Sequence, residues 1–484
     1  MARDKDRYDV VIIGAGISGL VCGCYLSEAG MKVLIVEKND TVGGYCSSIE
    51  KNGYKFNLTT CMVGGVREAS TLDKVFYKEL QLRDSLFFKR EKYSNTIITE
   101  DGIFNFDSKG EEVFSNLRKI FPGESRGLRL FLNLTLSAKN IDLYLKYKNV
   151  TFGKLLDAFF SCNKIKDFFA IPCGNFGFSP YKISAFSALL YYRETILNAG
   201  YHISGGAEKL PESMLDKIRI NNGDILLSTC VDRIKVSKDG SVDGVELDNG
   251  TSIKTNYLVA CCDIRNVLLN MIDRKKIHNK FIHLIKKMLV SSSAFIVYLG
   301  LAKPLTKEIE MYKSRTLWFC PKYDTKEVFR NIEKNKFNRN LTYLTGYLSS
   351  SGGRSQIDQV TLYTLVPFLN KKFWQRNMSR ISHEIICKTE KIIKNISMHT
   401  KVSHIITPYD LYSYSLNSGG AVKGWVSIPQ YNNSNKIPQG KIFANFYTAG
   451  QWSTLESGQG GIAMASLSGR RAARMILRNN RGIK

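Results

Sequence analysis

Gly14-Ala15-Gly16-Ile17-Ser18-Gly19 places three glycines at the spacing a backbone needs to wrap a pyrophosphate. Gly14 permits a tight turn, Gly16 lets the backbone approach a phosphate, and Gly19 lets the following helix pack closely on the preceding strand. The first residues of that helix, Ile17 and Ser18, offer unpaired N–H groups and positive potential to an anion. Glu37 stands where its carboxylate can accept hydrogen bonds from a ribose, with Lys38 beside it, and that negative charge disfavours a 2′-phosphate. A second glycine pair follows in Thr41-Val42-Gly43-Gly44-Tyr45-Cys46. A third cluster closes the chain, with Gly450-Gln451 and then Gly460-Gly461-Ile462 before a helical stretch. Between them, Trp452 and Glu456 are expected on a loop beside the reacting group, and Glu456 is the candidate acid or base. These residues point to a dinucleotide cofactor; NADP is disfavoured, and the fingerprint alone leaves FAD and NAD open.

The elements that position these residues are legible from apolar periodicity. Tyr8–Ile13 reads as a buried strand, the helix runs through Leu20, Cys24 and Leu26 to Gly30, and Met31–Val36 is a second strand. Tyr54, Phe56 and Leu58 alternate as on a half-buried strand. In the middle, Tyr201–Gly206 precedes a helix through Leu210, Met214 and Ile218, and Asp224–Cys230 reads as a strand. Val231–Ile234 continues into a hairpin, and Tyr257–Asp263 is a buried strand leading to a loop. His202 reads as a structural histidine near a tight turn. Ser292–Leu301 and Leu362–Val366 are further apolar strands, expected to share a mixed sheet. Residues 152–192 carry apolar helical stripes interrupted at Pro172–Gly177, consistent either with core packing or with a greasy lid or tunnel.

The two glycine segments at the start of the chain, the late Gly450-Gln451 strand end, and the runs Thr407–Tyr414 and Gly419–Trp425 together resemble one family. It is the FAD-dependent phytoene/carotenoid desaturase, carotenoid isomerase and retinol saturase-like family within the flavin amine oxidase superfamily. The resemblance implies an α/β fold with a Rossmann-type FAD-binding domain assembled from residues 1–75, 200–270 and 415–484. It implies an inserted mixed-sheet and helical substrate domain over 76–199 and 271–414, with a helical lid or membrane-facing region. FAD is the implied cofactor, with Gly43, Gly44, Tyr45, Gly450, Gln451, Gly460, Gly461 and Ile462 near it and the backbone of Val231 against adenine. Two departures stand out: Asn57 occupies a position where the family often has an acid, and Gln451 replaces an expected Asp. The implied reaction is desaturation of a hydrophobic isoprenoid or polyene by hydride transfer to flavin. Polyene isomerisation, polyene saturation, amine oxidation and a non-enzymatic flavin-binding scaffold at a membrane remain alternatives, and the electron acceptor and oligomeric state stay open.

Composition narrows the classes further. With 44% hydrophobic residues in 484, the chain buries a large core, which excludes disorder. Its 69 Lys and Arg against 43 Asp and Glu give a formal charge of +26, spread along the chain without a DNA- or RNA-binding module. That pattern argues against nucleic acid and fits an anionic membrane surface. The 11 cysteines form no CxxC motif or Cys/His cluster, so a metal site is not expected and a reducing, cytoplasmic setting is. The Met288–Ala302 run falls short of the roughly 20 residues that span a bilayer, so any membrane contact would be peripheral.

Overall fold

Val10–Ile13 are buried because the strand they belong to, Arg7–Ile13, lies inside a seven-stranded sheet. It pairs in parallel with Val33–Val36 on one side and Ser252–Ala260 on the other, and a doubly covered parallel strand favours an unbroken apolar run. Asp224–Leu226 extends the sheet in parallel beyond Val33–Val36. Val242–Leu247 and Val231–Val236 add antiparallel strands beyond Ser252–Ala260, and Phe446–Thr448 pairs with that same strand in parallel. One sheet is therefore built from three well-separated stretches of chain. The computed structural model describes residues 7–59, 62–82, 88–197, 200–338, 340–341, 343–350, 356–429, 439–453 and 461–481.

Helix Ile17–Glu28 covers the sheet and meets helix Gly461–Arg481, the two backbones crossing at Gly469. A Cβ on Gly469 would stand 2.2 Å from the Ser18 carbonyl oxygen, so only glycine allows this approach. The expected strand Asp224–Cys230 is shorter than its sequence suggests and ends at Leu226. Ser228 adopts φ 50°, and the backbone from there bonds to Asn39 and Glu37 carbonyls. A residue in the left-handed region cannot continue a pleated strand.

A second seven-stranded sheet runs in the order Thr400–Ile406, Ser293–Leu305, Ile357–Val366, Leu344–Ser349, Thr316–Phe319, Tyr93–Thr99, Gly102–Asp107. It is mixed: Thr316–Phe319 and Tyr93–Thr99 are parallel, and the other pairs are antiparallel. The molecule is thus α/β, with a Rossmann-like region of discontinuous segments and an additional mixed-sheet and helical region. The helical region packs an aromatic core on this sheet. Phe131 and Phe169 stand 4.7 Å apart, Phe160 stacks on Phe169 at 5.2 Å, and Phe168 meets Phe104 edge-on at 5.0 Å. Leu155, Leu156, Phe160, Phe168 and Phe169 serve this core, whereas Phe186, Leu190 and Tyr191 face a cavity. Among the described residues no helix is long and apolar enough to cross a membrane.

Candidate active site

Gly14 takes φ 101°, and its N–H donates to the Val36 carbonyl at 2.8 Å, which closes the first turn against the second strand. A Cβ on Gly19 would stand 2.0 Å from the Gly14 carbonyl oxygen, so helix Ile17–Glu28 can begin here only with glycine at that position. Gly16, by contrast, has open space where a Cβ would project, and no side chain caps the helix start. The first turn of a helix leaves N–H groups without intrahelical partners, and Gly16, Ile17 and Ser18 at this start line a cavity. Glu37 is buried, its Oε2 accepting from the Ala15 N–H at 2.7 Å and its Oε1 from the Asn39 N–H at 3.0 Å. Each carboxylate oxygen keeps a second lone pair, which leaves Glu37 able to accept from a ribose hydroxyl.

The second glycine pair lies directly against the first turn. Gly43 donates to the Ala15 carbonyl at 2.8 Å, and a Cβ on Gly44 would sit 3.5 Å from Gly16 Cα. Tyr45 ties this pair to a distant segment: its hydroxyl donates to the Ala421 carbonyl, shares a bond with Ser415 Oγ, and accepts from Asn417 Nδ2. Burial raises the Tyr45 phenol above its ordinary range, so it stays a neutral hydrogen-bonding group.

The late segment is knitted to both. Gly450 takes φ 87°, and a Cβ there would meet Ser18 Oγ at 2.8 Å. The Gln451 carbonyl accepts from the Trp425 N–H at 3.3 Å, and Trp425 Nε1 donates to the Trp452 carbonyl at 3.0 Å. The two indoles meet edge-on at 4.9 Å, and Trp452 Nε1 donates to Asn417 Oδ1 at 2.8 Å. Asp263, at the end of the Ser252–Ala260 strand, accepts the Ser418 N–H at 2.7 Å. Burial raises its carboxyl despite hydrogen bonds that favour the charged form.

These segments enclose a cavity of about 660 Å³, within the range of small-molecule and cofactor sites. Its wall contains Gly14, Gly16, Ile17, Ser18, Glu37 and Lys38 from the first strand–helix–strand unit. Gly43, Gly44, Tyr45, Val231, Gly450, Gln451, Gly461 and Ile462 continue it, as do Cys261–Asp263 and Trp452. Gly19 lies behind the wall, where it sets the helix position. Glu456 and Gly460 lie outside the described residues. The cavity continues past a second wall of Phe186, Leu190, Tyr191, Trp318, Tyr347 and Val422. His202 is not on either wall; it faces Glu91 at 2.9 Å from the Phe88–Arg90 and Tyr201–Ile203 strand pair. No group of His, Cys, Asp and Glu among the described residues could hold a metal ion.

Sequence reasoning missed Lys423. It was the one charge in the otherwise uncharged run Gly419–Trp425, and that isolation was the available signal. Its backbone N–H donates to Ser291 Oγ, and its side chain lines the cavity. Glu37 and Asp263 are held by backbone N–H groups, Lys38 donates to Asn39 Oδ1 and the Ser413 carbonyl, and Arg67 pairs with Glu194 at 3.2 Å. Lys423 Nζ has no such partner among the described residues. Burial alone pulls its pKa down to about 8.

Gly16 and Gly461 both line the cavity and have no described atom where a Cβ would stand, which suits the close backbone approach that a dinucleotide requires. The chain is 24% identical over 435 residues to a 4,4′-diapophytoene desaturase (4,4′-diapolycopene-forming) of Methylomonas sp, covering 82% of each chain. It is 22% identical over 506 residues to a 4,4′-diaponeurosporene oxygenase of Staphylococcus haemolyticus (strain JCSC1435), covering 96% of each. Its fold is similar to that of cyclohexylamine oxidase from Brevibacterium oxydans IH-35A, with a TM-score of 0.66 and 16% identity over 98% of this chain and 99% of that one. The family model for flavin containing amine oxidoreductases matches residues 17–477, starting at the first helix after the glycine turn, and the chain belongs to that family.

Proposed function

We propose that the protein is an FAD-dependent oxidoreductase that desaturates a hydrophobic isoprenoid or polyene. One observation carries the reading: a single cavity has a glycine-rich wall suited to a dinucleotide and an aromatic and aliphatic wall suited to a greasy chain. The relatives named as a diapophytoene desaturase and a diaponeurosporene oxygenase support a polyene over an amine. FAD, when bound, supplies an acceptor for the hydride of a C–H bond. The chain itself orients and dehydrates. Phe186, Leu190 and Trp318 hold the substrate's carbon chain, and Gly16, Glu37 and Gly43–Gly44 hold the dinucleotide. Lys423 Nζ can hold or release a proton inside the cavity near neutral pH.

The test is spectral and then chemical. Purified protein should carry FAD, identified by absorbance and mass. Under anaerobic conditions a polyene substrate should bleach the visible flavin absorbance, with a product lighter by two hydrogens. Protein that takes up no FAD on reconstitution overturns the reading. A product of unchanged mass assigns isomerisation instead, a heavier product assigns saturation, and bleaching by amines alone assigns amine oxidation.

A further inference from the structure

Helix Gly461–Arg481 starts at the cavity wall and carries a row of arginines along one side. Gly461, Ile462 and Ala465 line the cavity, and Leu467 lines both it and a second hollow of about 420 Å³. Beyond Leu467 that hollow is lined by Arg470, Arg471, Arg474, Met475 and Arg478. Arg470, Arg474 and Arg478 recur at four-residue steps and share one helix face, and Arg471 stands three residues before Arg474 at its edge. From Arg470 to Arg478 the row rises about 12 Å, at about 1.5 Å per residue. Arg471, Arg474 and Arg478 are exposed, while Ala472, Ala473 and Ile476 between them are buried.

Among the described residues one carboxylate meets this row, and it is fully engaged. Glu79 Oε1 accepts from Arg470 Nη2 and, at 3.3 Å, from Arg474 Nη2. Its Oε2 accepts from Arg470 Nε at 2.6 Å and from the Tyr25 hydroxyl. A carboxylate offers about four lone-pair sites, so Glu79 has none left for another guanidinium. Arg471 and Arg478 make no ion pair among the described residues, and Arg474 gives Glu79 only one of its N–H donors. Like charges four residues apart destabilise a helix, so the empty row is held against its own repulsion. Glu79 fixes the inner end of the row at Arg470 and leaves the outer three guanidiniums with donors to spare.

We infer that this hollow is a diphosphate-binding site, with Arg471, Arg474 and Arg478 as the residues that take the anion. A guanidinium presents paired donors that match phosphate oxygens, and each such contact is charge-assisted. A diphosphate carries charge on two phosphorus centres, so it engages more of a 12 Å row than a single phosphate does, and the hollow has the size of a small-molecule site. The site is separate from the glycine turn suited to a dinucleotide, since Gly14, Gly16 and Ser18 line the larger cavity and not this hollow. Two sources share the chemistry. One is free pyrophosphate; the other is the diphosphate end of an isoprenoid whose chain passes Leu467 into the cavity. The second source rests on the substrate class proposed above, whereas the site itself rests only on the arginines.

The test is titration calorimetry of the FAD-loaded protein, whose dinucleotide site is filled, with inorganic pyrophosphate, geranyl diphosphate and geraniol. Pyrophosphate should bind wild type, and the paired change Arg471→Gln and Arg478→Gln should weaken it by about tenfold or more. Arg118→Gln with Lys119→Gln removes the same charge from exposed positions elsewhere and should bind as wild type. Geranyl diphosphate binding more tightly than both pyrophosphate and geraniol, and weakened by the same paired change, assigns the site to a substrate's diphosphate end. Equal affinity for the two diphosphates assigns it to the free anion. Unchanged circular dichroism confirms folding of each variant. Protein that holds no FAD fails the redox reading but is still read by the arginine variants, so the two readings fail separately. No pyrophosphate binding by wild type, wild-type affinity in the Arg471 and Arg478 variant, or equal loss in the control overturns the inference.

Discussion

Replacing Lys423 by methionine should stabilise the FAD-free protein at neutral pH and leave it unchanged in strong base. An ordinary lysine titrates near 10.5, and burial brings Lys423 down to about 8. At 1.36 kcal/mol per pH unit, keeping this ammonium charged inside the fold costs about 3 kcal/mol. Water entering the cavity screens the charge, so that figure is an upper bound. The sign follows from proton counting. Below pH 8 both folded and unfolded chains hold the proton and the full cost is present. Between about 8 and 10.5 the folded chain has lost the proton and the unfolded chain has not, so stability rises with pH. Above 10.5 neither holds it and the cost is gone. Lys423→Met removes the cost at all pH values, so its advantage should be largest at pH 7 and disappear above about pH 10.5. For 484 residues the unfolding entropy is about 1 kcal/mol/K, so the gain in Tm should approach about 3 °C at pH 7. Calorimetric melts of both proteins from pH 6.5 to 10.5 measure it. A variant less stable than wild type at pH 7, or one whose advantage persists undiminished at pH 10.5, refutes the reasoning.

Gly19→Ala should abolish FAD retention, because the added Cβ would stand 2.0 Å from the Gly14 carbonyl and the first turn could not close. Flavin absorbance per mole of purified protein checks this, and a wild-type ratio would count against the role given to the turn. Glu79→Gln should lower stability by about 1 kcal/mol near neutral pH, since Glu79 joins Tyr25 to Arg470 and Arg474 on the last helix where solvent still reaches the cluster. Burial works to raise the Glu79 carboxyl, but the bonds from Arg470 and Tyr25 and both guanidinium charges hold it below its ordinary value. Its contribution is therefore present above the ordinary carboxylate range and lost as pH falls through the folded value. Denaturant melts should show the two proteins converging in acid.

The strands and helices around the cofactor wall were legible because each carries a local signal. Val10–Ile13 is an unbroken apolar run, Gly14 takes a positive φ, and a Cβ on Gly19 would meet the Gly14 carbonyl, while Gly16 stands open at the spacing of the motif. The split of residues 152–192 between core and cavity was not legible. Phe169 and Phe186 are alike as apolar helical residues, and only the packing of Phe131 against one and the cavity against the other separates them. Asp224–Cys230 failed as a full strand because Ser228 takes a left-handed conformation that its residue type does not announce. Lys423 was missed for a related reason. A lysine is usually solvated, and its position becomes informative only when Ser291, from a distant part of the chain, is seen bonded to its backbone.

That lysine also connects stability to function. A partly buried ammonium with no carboxylate partner among the described residues lowers the stability of the empty fold, and replacement by an apolar residue of similar length would remove the cost. The same residue stands on a wall shared with the glycine turns that suit a dinucleotide, whose phosphates or reduced ring would bring negative charge into the cavity. A charge that destabilises the empty site and is offset in the loaded one couples folding to cofactor binding through a single side chain. Glu37, Asp263 and Arg67 line the same cavity with their charges held by backbone N–H groups or an ion pair, whereas Lys423 keeps its side-chain donors available to what the cavity holds.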